Sequence, residues 1–420
     1  MRLKLPFGRS KKKIVTDFQF DPNEVHLALD IGTRYIKTVL FKINSSSEVT
    51  IIGYARFAQK YGAMRDAMIV NLQNVIEACD LCIGKAIEIA EKRLGQFSLP
   101  TKAVVGIAGE LVKGVSIIAN YERESPNSVI DRDELKNVVE QIKANAFSGA
   151  IKDIAEEMGV PEDQIEEIST RINTTEIDGV IVNNPLDFTG SKVNYRIFST
   201  FAPKIHVNSL YELASQLGLE ECTVVVQPYA IARAMKESQQ QNSGAIIIDV
   251  GGGTTDIAIV NNGGVIGTKM FAFGGEVITK RIAEAFKLEI IMAEELKLNY
   301  TDQNVTEAQA REIKAIVNQD LQIWVEGVQI ALEEILEDEN GDLEKLPPQI
   351  YLCGGGVALP EIRETLLSHP WLTALPFSKF PKINYLFPNQ LLGINDETRL
   401  LIDPSDVTPA SIARMAIDVG

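Results

Sequence analysis

Several things are scarce in this 420-residue chain, and each scarcity removes a class of protein. There are four cysteines (Cys79, Cys82, Cys222, Cys353) with no framework spacing, which points to a reducing cytoplasm and away from a disulfide-stapled scaffold. No apolar run approaches the ~18 residues of a membrane span. The cationic N-terminus lacks the apolar stretch of a secretory signal. The three histidines (His26, His206, His369) are scattered, and each is read as structural. Lys and Arg number 41 against 57 Asp and Glu, and the resulting charge of −16 argues against nucleic-acid binding. There is no GxxxxGK[ST] phosphate loop, and Asp256 stands at the sixth place of the candidate G-x-G-x-x-G at Gly251, so that glycine run is not a dinucleotide fingerprint.

What is present suits two or three globular domains: 45% of residues are hydrophobic and 23% charged. Charge is uneven. The first thirteen residues, MRLKLPFGRSKKK, carry six Lys or Arg and no acid, leaving −22 on the rest. Leu3, Leu5 and Phe7 alternate with Arg2 and Lys4. Such a segment suits either a contact with an anionic membrane, at up to about 1 kcal/mol per cation, or a solubilising tail.

Two hairpins carry the chemistry. Gly244–Val260 reads as a buried strand (Ile246, Ile247, Ile248) ending in Asp249, a Gly251-Gly252-Gly253 turn, Thr254-Thr255 and a returning strand. Glycines free the backbone N–H groups to wrap a phosphate, and an acid at the mouth of the turn suits hydrated Mg²⁺. Alone, the stretch is equally compatible with an ordinary Gly-rich hairpin and a solvated acid. A related turn, however, occurs 219 positions earlier: Asp30-Ile31-Gly32-Thr33, again between apolar β runs, with a further strand over Val49–Phe57. Two such hairpins suggest a duplicated fold gripping one phosphate chain.

Between and after them the chain alternates helices and strands. A helix is expected over Asn71–Gly95, with Cys79-x-x-Cys82 as packing thiols, since no second ligand pair accompanies them. A strand at Lys102–Ala108 precedes a change of texture: a strand over Val115–Tyr121, a long helix over Asp131–Met158 and strands over Ile165–Thr174, Ile177–Asn183 and Ser191–Phe201. That is an inserted α+β unit. Then come a helix over Val207–Leu217, a strand over Thr223–Val226, Gln227-Pro228 at its exit and a helix over Tyr229–Lys236, with a linker-like stretch to Ser243. A strand over Gly264–Phe273 leads to Gly274-Gly275-Glu276, an anion-friendly start to the helix Val277–Phe286. Helices over Met292–Leu298 and Glu307–Glu337, an acidic loop over 337–342 and a strand over Ile350–Leu352 follow. That strand enters Gly354-Gly355-Gly356, a backbone flat enough for a ring to lie on, ahead of a helix from Pro360. The last helix starts near Thr408 with Pro409 at its first position.

Together these elements resemble the actin-like ATPase superfamily over residues 25–420. Asp30-x-Gly32-Thr33-x-x-x-Lys37 looks like its first phosphate motif, Asp249-x-Gly251-Gly252-Gly253-Thr254 like its second, Gln227 lies in the first connecting segment, Gly354–Gly356 matches the adenosine motif, and TPASIARMAI looks like the second connecting helix. Within the superfamily the chain most resembles the FtsA cell-division family and the related pilus-assembly protein PilM, through IDVGGGTTDIAIV, GGEVITKRIAEAF, AEELK at Ala293–Lys297 and the inserted unit. Two departures are the stop at Gly420, without the membrane helix FtsA proteins usually carry, and Lys37, often missing in FtsA.

The resemblance implies an α/β fold: a duplicated, ribonuclease H-like two-lobe ATPase with an SHS2-type α+β insertion. The expected divisions are a basic segment 1–24, a lobe I core of 25–109 and 204–243, an inserted interaction domain 110–203, a lobe II core of 244–275 and 340–407, a helical subdomain 276–339 and a connecting helix 408–420. It implies ATP and Mg²⁺ between the lobes, with Asp30 and Asp249 holding the metal, Gln227 positioning a water, and Gly32, Thr33, Lys37, Gly251, Gly252, Gly253 and Thr254 at the phosphates. Gly275, Glu294, Lys297, Gly354, Gly355 and Gly356 would meet the nucleoside side. No further strong base presents itself, so any ATP hydrolysis should be slow. The expected function is that of an FtsA-like protein that polymerises and anchors a tubulin-like division filament at the inner face of the cell membrane. A PilM-like cytoplasmic adaptor of type IV pilus assembly is the alternative. A small-molecule kinase is disfavoured because residues 110–203 look like an interaction module with no evident catalytic acid.

Overall fold

The computed structural model describes residues 15, 18–108, 112–182, 184–236, 239, 244–261, 264–338 and 343–418. The basic segment 1–13, most of the linker before Gly244 and residues 339–342 of the acidic loop lie outside the described residues.

Chain order first builds lobe I. Strands β1 (His26–Ile31), β2 (Tyr35–Ser45) and β3 (Glu48–Ala58) form an antiparallel meander, followed by the short pairing β4 (Met64–Arg65) with β5 (Met68–Ile69) and helix α1 (Leu72–Leu94). Asn71 accepts the Asn74 N–H at the start of α1, and Gly95 ends it with φ +74°. Every residue of β1 is buried, as expected for a central strand. Strand β6 (Lys102–Ile107) then runs parallel to β1. The inserted unit follows: β7 (Lys113–Glu122), α2 (Arg132–Met158), β8 (Ile165–Ile177), β9 (Val180–Val182) and β10 (Lys192–Pro203) make a four-stranded antiparallel sheet, order β7-β10-β8-β9, with its own core around Tyr195, Ile197 and Phe201. Helix α3 (Lys204–Gln216), strand β11 (Glu221–Val226) and helix α4 (Gln227–Ala234) complete lobe I.

Lobe II repeats the plan. Strands β12 (Ala245–Val250), β13 (Thr255–Asn261) and β14 (Gly264–Phe271) are the meander, with helices α5 (Gly275–Phe286), α6 (Ile290–Thr301) and α7 (Glu307–Asp338) after it. Strand β15 (Gln349–Cys353), helices α8 (Pro360–Ser368) and α9 (Trp371–Ala374) and strand β16 (Lys382–Tyr385) follow. The lobe II sheet has the order β14-β13-β12-β15-β16, and lobe I holds β3-β2-β1-β6-β11 in the same relation, so the two halves are one topology used twice. Strand β17 (Ile394–Asp396) adds to the free edge of β3, and α10 (Val407–Arg414) returns to pack on α4.

The repeat explains the burial pattern. Ile246, Ile248, Ile257 and Ile259 point into the lobe II core with Trp324, Val317 and Leu321 of α7, while Ala245, Ile247, Ala258 and Val260 point the other way, into the core shared with lobe I. Period-two alternation thus gives lobe II two apolar faces, one of them turned to its partner lobe. Within the lobe II core, Trp324 ties α7 to the sheet by donating from Nε1 to Thr255 Oγ1 at 2.9 Å, and Thr255 in turn donates to the Phe273 carbonyl.

Local departures from the sequence reading have physical causes. Pro409 is the third residue of α10, because a 3-10 turn at Pro404–Asp406 hands directly into a helix starting at Val407. Helix α3 starts at Lys204, straight after Pro203. The short β16 and β17 (KINY, IND) offer too little apolar alternation to be legible; pairing with β15 and β3 makes them strands. All four cysteines are buried and unpaired, and burial pushes the thiols of Cys79, Cys82, Cys222 and Cys353 upward. His206 is buried and held down at about 4, while His26 packs edge-on against Phe20 and hydrogen-bonds the Asp21 carbonyl.

Candidate functional site

The acids sit where the duplicated strands end. Asp30 pairs in register with Lys37 across the β1–β2 hairpin and lies beside Gly106 of parallel β6. Asp249 pairs with Asp256 across the β12–β13 hairpin and lies beside Cys353 of parallel β15. Both open into one cleft of about 620 Å³ between the lobes. Each sequence-predicted site residue lines it: Asp30, Gly32, Thr33 and Lys37 from lobe I, Gln227 from the start of α4, Asp249 and Gly251 to Thr254 from lobe II, Gly275, Glu294 and Lys297 from α5 and α6, and Gly354 to Gly356 after β15.

The two turns interlock. A Cβ on Gly253 would come 2.8 Å from Thr33 Oγ1, and one on Gly252 would come 3.1 Å from the Arg34 Cβ, so only bare backbone lets the lobes approach this closely. Gln227 donates from Nε2 to Asp30 Oδ1 at 3.0 Å, and the missing side chain of Gly106 makes room for it. Lys37 donates to Asp30 Oδ2 at 3.3 Å and to the Ser405 carbonyl at 2.5 Å. Thr408 of α10 donates to Asp249 Oδ2 at 2.7 Å. Residues 405–408 therefore meet Asp249 directly through Thr408 and Asp30 only by way of Lys37.

Gly354 is the tightest point. Its φ is +89°, and a Cβ there would stand 2.1 Å from Asp249 Oδ1 and 2.4 Å from the Val250 carbonyl. Gly354→Ala is therefore expected to lower stability by about 2–4 kcal/mol and to displace the Asp249 carboxylate, read as a fall in Tm.

Burial dominates the electrostatics. It raises Asp30, opposed first by Lys37, and raises Asp249, opposed first by the Thr408 hydrogen bond. Asp256 is pushed up to about 8, by burial and then by the charge of Asp249. It accepts from Thr254 Oγ1 at 3.1 Å. Two buried carboxylates facing a glycine-lined cleft are a donor set short of positive charge. That suits a hard cation bound through one or two carboxylates and its own waters. Among the described residues no group of three or more His, Cys, Asp or Glu forms a complete protein cage.

On the α5–α6 side, Glu294 Oε2 accepts from Lys297 Nζ at 2.9 Å and Thr279 Oγ1 at 2.5 Å, and Lys297 also donates to the Gly275 carbonyl. Burial works to raise Glu294, but Lys297, Thr279 and Arg34 outweigh it and hold the carboxyl low. The N-terminus of α5 is not the open anion site its glycines suggested. Its Gly275 and Glu276 N–H groups are spent on the Gly251 and Gly252 carbonyls, bracing the phosphate-hairpin turn from behind.

A family model described as "Cell division protein FtsA" matches residues 246–380. The chain is 26% identical over 359 residues to the cell division protein FtsA of Bacillus subtilis (strain 168), covering 81% of this chain and 75% of that protein. It is 23% identical over 276 residues to FtsA of Neisseria meningitidis serogroup B (strain ATCC BAA-335 / MC58), covering 65% and 60%. The chain is similar in sequence to FtsA cell-division proteins. It spans from 60% to 75% of the length of these two. Among solved structures, one from the PilM-PilN type IV pilus biogenesis complex superposes with a TM-score of 0.62 at 15% identity, covering 94% of this chain and 98% of that one. This establishes the fold: the FtsA-like chain has the two-lobe actin-like architecture.

Arg34, Asp256, Ser405 and Thr408 also line the cleft of the FtsA-like chain and were not picked out as site residues from the sequence. Asp256 had a signal, since alternation along β13 puts it on the face of Ala258 and Val260, turned toward lobe I. Arg34 had one too, as the neighbour of Thr33 in the first turn. Thr408 had none.

Proposed function

We propose that this chain is an FtsA-like cytoskeletal protein that binds MgATP between its lobes, self-associates into filaments and links a tubulin-like cell-division filament to the inner face of the cell membrane. The observation that carries the nucleotide reading is the convergence of Asp30 and Asp249, from equivalent strands of a duplicated sheet, on one cleft with two interlocked glycine-bearing turns. In this reading Asp30 and Asp249 hold hydrated Mg²⁺, whose charge would offset that of the phosphate oxygens. The Thr33, Gly252 and Gly253 amides would face those oxygens, since the Gly32 and Gly251 N–H groups close their own turns on the Tyr35 and Thr254 carbonyls, and Gly354–Gly356 would floor the nucleoside. Gln227 gives its Nε2–H to Asp30, which leaves its amide oxygen to orient a water. In the nucleotide-free chain burial and the charge of Asp249 push Asp256 up to about 8, so it is a poor proton acceptor there at neutral pH.

The membrane link is assigned to residues 1–13. Val15, which follows that segment, bridges to Glu221 at the β11 edge of the lobe I sheet. The decisive experiment is co-sedimentation of the full chain with a tubulin-like division filament, with and without anionic liposomes. The filament should pellet with liposomes only when the chain is present, and removing residues 1–13 should at least halve the liposome-bound fraction. Capture of a pilus-assembly membrane peptide in place of the division filament would establish the PilM-like adaptor instead.

A further inference from the structure

The lobes are joined through residues 405–408 at the acids, and a second time through a side chain of the first phosphate turn. Arg34 leaves the β1–β2 turn of lobe I and reaches α6 of lobe II, where its Nε lies 3.5 Å from Glu294 Oε1. The Arg34 side chain is 24% exposed and that of Glu294 only 8%. Glu294 keeps its other oxygen on Lys297 and Thr279, so it stays compensated whether or not Arg34 is present. The ion pair is thus dispensable for folding of the α5–α6 pocket, yet it can form only while the two turns are interlocked. Any rotation that separates Thr33–Arg34 from Gly252–Gly253 carries the guanidinium away from its partner. Both residues line the cleft.

We propose that Arg34 is a latch: its ion pair with Glu294 holds the two lobes closed over a bound nucleotide and breaks before the nucleotide leaves. This deepens the nucleotide-binding reading above and rests on it. Arg34 acts on release, as a positioning residue, rather than on the phosphates.

The test is stopped-flow release of a fluorescent N-methylanthraniloyl ATP from the full chain, loaded with Mg²⁺ and chased with excess ATP. Arg34→Gln should release it roughly fivefold faster, as expected for losing a partly screened pair, while association changes less than about twofold. Arg34→Lys should fall between the two. Raising salt from about 50 to about 500 mM should speed release from the wild-type chain and leave Arg34→Gln nearly unmoved. Equal release rates in wild type and Arg34→Gln, or a wild-type rate indifferent to salt, would overturn the latch. The salt response is measured on the unmutated chain and so decides the matter whatever the variant's stability. A wild-type chain that takes up no labelled nucleotide overturns the binding reading itself, an outcome visible before any release is measured.

Discussion

Asp249→Ala is expected to abolish MgATP binding, a loss of at least about 3 kcal/mol or roughly a hundredfold in affinity, measured by titration calorimetry. The magnitude follows from position. Asp249 ends the central strand of lobe II, fully enclosed, with Gly354 stripped of a side chain to admit it and Thr408 donating to it. The apo fold should not suffer in proportion. Burial raises this carboxyl's pKa, so the ionised form costs stability at any pH above the ordinary carboxylate range, and removing it removes that cost. Against this stands the Thr408 hydroxyl left without its acceptor, about 1 kcal/mol. The variant should therefore melt within a few degrees of wild type while failing to bind, which separates loss of the site from loss of the fold. Undiminished MgATP binding by a folded Asp249→Ala would sink the two-hairpin site.

The parts legible in the sequence were those whose physics is local. A β-branched run ending in an acid and then glycines declares a strand, a turn and a reason for the acid within ten residues. Recurrence of that signal at Asp30 and Asp249 declared the duplication, which the two sheets realise strand for strand. The illegible parts depend on contacts between distant residues. Lys37 meets the Ser405 carbonyl and Asp249 meets Thr408 because α10 returns between the lobes, and nothing near either residue encodes the meeting. The helix-dipole argument for Gly274–Glu276 failed for the same reason: the amides are where the sequence puts them, but the turn 24 residues earlier already occupies those of Gly275 and Glu276. Asp256 was seen only as a broken fingerprint, although its place in the alternation of β13 turns it into the cleft beside Asp249.

Asp256 leads to the second large effect, a stability profile that slopes downward with pH. Its folded-state pKa is about 8, against about 3.9 for an unfolded aspartate, so between those values the native chain holds a proton that the unfolded chain has lost. Unfolding then releases a proton, and stability falls as pH rises, by up to about 1.4 kcal/mol per pH unit, levelling off above pH 8. His206 works in the opposite sense. Its folded pKa is held near 4, so the unfolded chain is the one that binds a proton up to about pH 6.5, and stability rises with pH there. The two partly cancel in acid, and above about pH 6.5 the His206 contribution has ended while Asp256 still titrates. Denaturant unfolding of the nucleotide-free chain should show midpoints dropping steadily between pH 6.5 and 8. Asp256→Asn, which keeps an acceptor for Thr254, should be more stable than wild type at pH 8 and should slope less between pH 6.5 and 8. Saturating MgATP should shrink the wild-type slope, because a cation near the paired Asp249 favours the ionised forms. A flat profile in the apo wild type would mean that Asp256 is already ionised at neutral pH. The cleft would then hold a third carboxylate able to take a proton from water, and the case for slow hydrolysis would fall with it.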